Sequence, residues 1–339
     1  MRPRVIGVAG TAKNTGKTTA MIELLKEARI QGIIHALTSI GYDGESVDNV
    51  TGLPKPRIQA TPGLLVAVAS RCLEVSTCRL EILRTTAVST PLGKIIIGRV
   101  TEAGLLVAAG PNKASDLRRI IEILIEEGAA LVFVDGALNR MAPMVETDGL
   151  VLTTGAARTT QLGRLAEEAK IITQFFQLPR EAVLTVSCRF VNILEEGRIA
   201  EVAACLEEQE GAVLEGLISQ DSLRRLAQAC VEAEGAWRGK TIVFSDAVKL
   251  LLSGNLAVTA QSLHILAREQ VKVGVLKAVR LAAVTVNPYY PLYDFRSAVY
   301  AEAYVDKDEL LDKMKRALTV PVYDILQDGA SQLFRNIMA

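Results

Sequence analysis

The run Gly10-Thr11-Ala12-Lys13-Asn14-Thr15-Gly16-Lys17-Thr18 carries the strongest chemical signal in the chain. Its order fits G-x-x-x-x-G-K-[ST], in which each fixed type has a task. Gly10 and Gly16 let the backbone turn until successive N–H groups converge on a phosphate, and a following helix adds the positive end of its dipole. Lys17 supplies a full charge for the β- and γ-phosphates, and the Thr18 hydroxyl is a ligand for Mg²⁺. By average composition the fixed positions match by chance in roughly 1% of chains this long. A strand before the run and a helix after it lower that figure further. Nucleotide binding is therefore the firm functional expectation, with Gly10 to Thr19 as its phosphate and Mg²⁺ contacts.

Other charged residues can join this cradle. Lys13 either points at the same phosphates or is solvated on the loop rim. Asp135 ends the apolar run Leu131 to Val134, where a carboxylate holds the Mg²⁺ shell through water; an Asp there is also a common turn former. Asp43 and Glu45 follow the second expected strand, at the carboxyl edge where open α/β sheets bind ligands. Each is either a second Mg²⁺ contact or an orienter of the attacking water, against a plain Tyr-Asp-Gly turn. The catalytic set is thus Lys17, Asp43 and Asp135, with Thr18, Asp43, Glu45 and Asp135 about the metal. ATP is expected over GTP because a guanine-reading N-K-x-D is absent: Asn112 to Asp116 has one residue too many. Val284-Thr285-Val286-Asn287-Pro288 resembles the strand-then-Asn segment that contacts the base in dethiobiotin synthetase and its relatives, which would make Asn287 a base contact; the alternative is an Asn-Pro turn that ends a strand. Tyr289, Tyr290 and Tyr293 cluster in a chain with seven tyrosines, as a ligand or partner surface or as a loop packed on the core. His35, inside an apolar strand, and His264, on an apolar helix, are given no role.

The elements that must position these residues alternate. Val5 to Ala9 reads as a buried strand and Thr18 to Ala28 as a helix with Met21, Leu24, Leu25 and Ala28 on one face. Ile33 to Ser39 is the next strand. Leu80 to Thr85, Lys94 to Val100 and Leu105 to Ala109 read as an inserted antiparallel ribbon. Asp116 is the expected N-cap of a helix that stops at Gly128, and strands Leu131 to Val134 and Leu150 to Thr153 follow, the second leading into a helix that ends near Phe176. Such alternation means βα units on a mainly parallel sheet, so the fold class is α/β. Pro179 marks the expected boundary between a nucleotide-binding domain, 1–178, and a second α/β domain, 179–339. In the second half Glu195 to Glu215 and Leu223 to Glu234 read as helical, with strands near Ile242, Leu281 to Val286 and Val320 to Ile325. Residues 276–339 either stay with the second domain or return to the first sheet.

Composition narrows the class. The 339 residues are 50% hydrophobic and 4% aromatic, with Lys plus Arg at 38 balancing Asp plus Glu at 38. A neutral, aromatic-poor chain argues against nucleic acid as partner. The longest uncharged stretch, Leu250 to Ala267, is interrupted by polar residues and is not expected to span a membrane. No leader-like segment opens the sequence, and the cysteines form no C-x-x-C pair, so a reduced, cytoplasmic setting is expected.

The loop, the Asp43 turn and Asp135-Gly136 together resemble the branch of P-loop proteins that includes the nitrogenase iron protein, the septum-site ATPases and dethiobiotin synthetase, over roughly residues 1–178. Those ATPases carry a second lysine five positions before the P-loop lysine, followed by two glycines. Here the gap is four, and Asn14-Thr15 stand in place of the glycines. Thr38 to Glu45, Thr90-Pro91-Leu92-Gly93, Ala109-Gly110-Pro111, Val134 to Leu138 and Thr285 to Pro288 further resemble the small P-loop subunit found with lysine 5,6-aminomutase. That resemblance implies part of a reactivase, paired with a larger ATPase subunit, that removes damaged cobalamin from an adenosylcobalamin-dependent aminomutase. A remodelling factor of this kind predicts weak hydrolysis raised by a macromolecule, and a homodimer that tightens with ATP. The competing class is an ATP-dependent small-molecule ligase or kinase of dethiobiotin-synthetase type, which predicts turnover raised by one metabolite.

Overall fold

The computed structural model describes residues 3–43, 58–137, 141–181, 187–193, 198–294 and 299–339. Glu45 and Leu138 lie outside them. The chain groups into two compact units, Met1–Ala166 with Leu281–Ala339, and Glu167–Arg280.

The first unit is built on a nine-stranded sheet. Its order is Val322–Tyr323, Arg280–Asn287, Gly149–Gly155, Arg4–Gly10, Leu131–Ala137, His35–Ser39, Leu65–Ala69, Gly93–Glu102 and Arg79–Thr90. Arg4–Gly10 runs parallel to both its neighbours, Leu131–Ala137 and Gly149–Gly155. Strands covered on both faces need apolar residues throughout, and Val5, Ile6, Val8 and Ala9 are all buried. Leu65–Ala69 pairs in parallel with His35–Ser39 and antiparallel with Gly93–Glu102. The ribbon Arg79–Thr90 with Gly93–Glu102 therefore extends the sheet as its antiparallel margin. The late strands Arg280–Asn287 and Val322–Tyr323 lie in this sheet too.

The second unit holds a four-stranded parallel sheet, Cys188–Asn192, Gly211–Glu215, Thr241–Asp246 and Lys272–Lys277, in chain order. Its helices include Ile199–Glu208, Gln220–Glu232 and Leu256–Arg268. The whole chain is thus α/β, with a large mainly parallel sheet, an antiparallel ribbon and a second α/β unit.

Several local expectations are corrected. Leu105 to Ala109 is not one strand: Gly104–Leu106 pairs with Ile58–Ala60, while Ala108–Ala109 pairs with Tyr42–Asp43. The helix Ala114–Glu126 begins after Lys113, and Asp116 sits in its first turn without capping it. The expected helix Glu195 to Glu215 gives way after Glu208, because Gly211–Glu215 is a buried sheet strand. Apolar runs that short read equally well as helix or strand. Leu250 to Ala267 is divided between the helices Ala247–Leu251 and Leu256–Arg268. Among the described residues no helix is long and apolar enough to cross a membrane.

Candidate phosphate-binding site

Residues 11–16 link the end of Arg4–Gly10 to the helix Lys17–Ile30. The helix buries Ala20, Met21, Leu24, Leu25 and Ala28, the stripe its sequence spacing predicts. Gly16 precedes it at φ 87°, a left-handed conformation that glycine enters without a Cβ clash. Among the described residues no side chain caps this helix, and its first turn carries no acidic residue. Its leading N–H groups and the positive end of its dipole therefore meet no acidic side chain from the helix's own first turn.

The loop is held by hydroxyl pairs from the neighbouring strand. Thr11 N–H donates to the Thr153 carbonyl at 2.9 Å. The Thr11 hydroxyl donates to that of Thr154 at 2.9 Å. Thr15 donates to the Ala12 carbonyl at 3.0 Å and its hydroxyl lies 3.2 Å from that of Thr153. Thr11, Thr15, Thr153 and Thr154 are all buried. A Cβ on Gly10 would stand 2.8 Å from the Thr15 hydroxyl, so this packing needs glycine there. Buried hydroxyls that satisfy one another fix a loop shape before any ligand arrives.

Lys17 reaches the adjacent strand, where its Nζ donates to Asp135 Oδ2 at 2.7 Å. The register Val8 opposite Asp135 brings the carboxylate to the same sheet end as the loop. Both side chains are largely shielded, at 13% and 7% exposure. Thr18 and Thr19 follow in the first helical turn and are half-buried. Lys13 is exposed on the loop, and Asn14 takes φ 63°. The loop thus gathers Gly10 to Thr19, Asp135 and Asn287, whose amide Nδ2 donates to the Asn14 carbonyl at 2.9 Å. Asp43 is described in its backbone, as the partner of Ala108 in a short antiparallel pair. Thr153 and Thr154 carry no motif in the sequence. A Thr-Thr-Gly at the end of an apolar strand, beside the strand that feeds the loop, is the signal that points to them.

The remaining chemistry-bearing types stand apart. Among the described residues no group of three or more His, Cys, Asp or Glu side chains is gathered to hold a metal ion. Burial raises the thiol pKa of every cysteine, that of Cys230 to about 11, so the thiols are poor nucleophiles. His35 is buried in its strand with Nδ1 at 2.8 Å from the Ile33 carbonyl.

No protein family and no curated protein matches the chain. Among solved structures it is similar to the signal recognition particle receptor FtsY of Elizabethkingia anophelis, at 12% identity and a TM-score of 0.21 over 92% of this chain. The GDP complex of that receptor gives 13% and 0.20 over 93%. The MinC:MinD cell division complex of Aquifex aeolicus gives 11% and 0.24, over 98% of this chain and 93% of that one. The chain spans about 65% of the receptor's length. What the site can hold is set by this chain's own geometry: the glycine-rich loop, the strand before it, the helix after it and the aspartate beside it.

Proposed function

We propose that the chain binds Mg-ATP at the loop Gly10 to Thr19, hydrolyses it, and uses the cycle to reactivate a cobalamin-dependent aminomutase together with a larger ATPase subunit. The observation that carries the nucleotide reading is the uncapped start of Lys17–Ile30 with the Lys17–Asp135 pair beside it. A carboxylate already held by Lys17 marks where that lysine meets negative charge, and a phosphate oxygen offers it more charge than Asp135 does. Loop N–H groups and Lys17 then hold the β- and γ-phosphates.

The donor set fits a hydrated Mg²⁺, which takes few protein ligands and fills its shell with water and phosphate oxygens. Thr18 would hold it directly and Asp135 through water, and the ion would neutralise charge between the β- and γ-phosphates. In hydrolysis a water oxygen bonds to the γ-phosphorus as the bond to the bridging oxygen breaks. Lys17 stabilises the charge that ADP and phosphate carry away. Asp135, released from Lys17, would hold that hydrated ion through its water ligands. Loss of the γ-phosphate changes what the loop holds, and a partner sensitive to that difference is shifted between two states. The partner's identity is supported by the sequence resemblance.

The test is ATP hydrolysis by the purified protein with Mg²⁺, alone and then with an inactivated cobalamin-dependent aminomutase. Turnover should rise with the aminomutase. Asp135→Asn should spare nucleotide binding and weaken the Mg²⁺-dependent rate. Basal turnover indifferent to the aminomutase but raised by one metabolite would replace the reactivase with the ligase or kinase reading.

A further inference from the structure

The strand Arg280–Asn287 ends against the phosphate loop, and the contact is specific. Asn287 donates from Nδ2 to the Asn14 carbonyl at 2.9 Å. Its Oδ1 accepts from the Tyr289 N–H at 3.2 Å. Its main-chain carbonyl accepts from the Ala156 N–H at 3.0 Å. Gly155 permits this approach, because a Cβ there would collide with the Asn287 carbonyl. A Cβ on Gly16 would stand 3.3 Å from that of Asn287, so the side chain also packs on the loop's last turn.

Asn14 is where the loop is least at ease. Its φ of 63° is left-handed, a conformation that costs an ordinary residue on the order of 1–2 kcal/mol and that Asn tolerates better than most. Such residues persist where their surroundings fix them. One flank of the loop is fixed by the hydroxyls of Thr153 and Thr154, and the flank at Asn14 by Asn287. Both functional ends of the Asn287 amide are engaged with protein groups.

We propose that Asn287 is a positioning residue for the phosphate loop. It holds the Asn14 peptide in its left-handed turn, so that the loop N–H groups converge before phosphate arrives. This deepens the nucleotide reading and rests on it. Asn287 accordingly acts on the phosphates through the loop and is indifferent to the base.

The experiment compares affinities for ATP, GTP and inorganic tripolyphosphate, by calorimetry, in the wild type, Asn287→Ala and Asn287→Ser. Serine still offers an acceptor to the Tyr289 N–H in a turn but is too short for the Asn14 carbonyl, so it keeps the strand's exit and loses only the brace. Both variants should bind all three ligands about 5- to 10-fold more weakly, the worth of one hydrogen bond. The loss should be equal across the three, with the thermal midpoint of Asn287→Ser close to that of the wild type. A loss seen with the nucleotides and not with tripolyphosphate would make Asn287 a base reader and overturn the proposal, as would undiminished affinity in Asn287→Ser. A wild type that binds none of the three overturns the phosphate reading itself, and the brace with it.

Discussion

The two units each contain a strand that runs into a helix beside an Asp–Lys pair, and they solve that junction in opposite ways. In the second unit Asp246 ends the strand Thr241–Asp246 and is itself the N-cap of Ala247–Leu251, with its carboxylate accepting the Lys249 N–H at 3.0 Å. Lys249 Nζ lies 3.5 Å from the same carboxylate. Helix start, anion and cation are satisfied within four residues of chain. In the first unit the strand Arg4–Gly10 is followed by a loop before Lys17–Ile30 begins, the aspartate comes from a different strand, and no described side chain caps the helix. The same charges therefore make a closed joint in one place and an anion-ready one in the other. A helix start becomes a ligand site when its neutralising charge is withheld and the backbone before it is shaped to converge.

Three measurements would break or sharpen that contrast. The largest effect is expected for Lys17→Ala, which removes the cation at the open junction. Nucleotide affinity should fall about 100-fold, on the scale of a charge-assisted hydrogen bond. The variant also takes its Lys17 partner from the buried Asp135 carboxylate and should lose stability. The double variant Lys17→Ala/Asp135→Asn should recover the stability and not the affinity, as read by urea unfolding and calorimetry. Undiminished ATP binding in either would make the two junctions equivalent and sink the comparison.

Asp246→Ala is the matching change at the closed junction. Loss of the N-cap should cost about 1 kcal/mol of stability in urea unfolding, with nucleotide affinity unmoved. A change in affinity would mean that this junction also serves the ligand.

The smallest effect is expected from pH. Burial lowers the His35 pKa below its ordinary 6.5, with nearby Arg29 pushing the same way against the raising effect of the Ile33 carbonyl. The unfolded chain then binds more protons than the folded one between that lowered value and 6.5. Stability is present above pH 6.5 and is lost as the pH falls through this window. His35→Gln should flatten the slope in unfolding free energy between pH 7.5 and 5.5. His35 lies in the first unit, so the loosening belongs to the unit that carries the loop.

What the sequence made legible follows from how local each feature is. The loop and its helix are encoded within one stretch of chain, and Lys17 and Thr18 stand where the spacing puts them. Asp135 was readable because a lone Asp ends an apolar run. Thr153 and Thr154 stand in a legible Thr-Thr-Gly at a strand end, but which loop they hold comes from strand register, and no local pattern states that. Asn287 is legible as an Asn-Pro element at a strand end, yet its hold on Asn14 depends on which strands lie side by side in the sheet. The strand Gly211–Glu215 is not legible in the sequence, because five apolar-rich residues after a helix continue its pattern until a neighbouring strand claims them.

The brace and the loop it braces are 273 residues apart in sequence. At about 5–20 residues per second, ribosomal synthesis would leave the loop waiting roughly 15–55 s for its last contact. Through that interval a nascent chain holds the motif and its helix but lacks Asn287 and the strand that carries it. On the proposed nucleotide reading, the brace reaches the loop only once the chain has been made through Asn287, and a fragment that stops before Asn287 should bind phosphate more weakly than a chain that carries it.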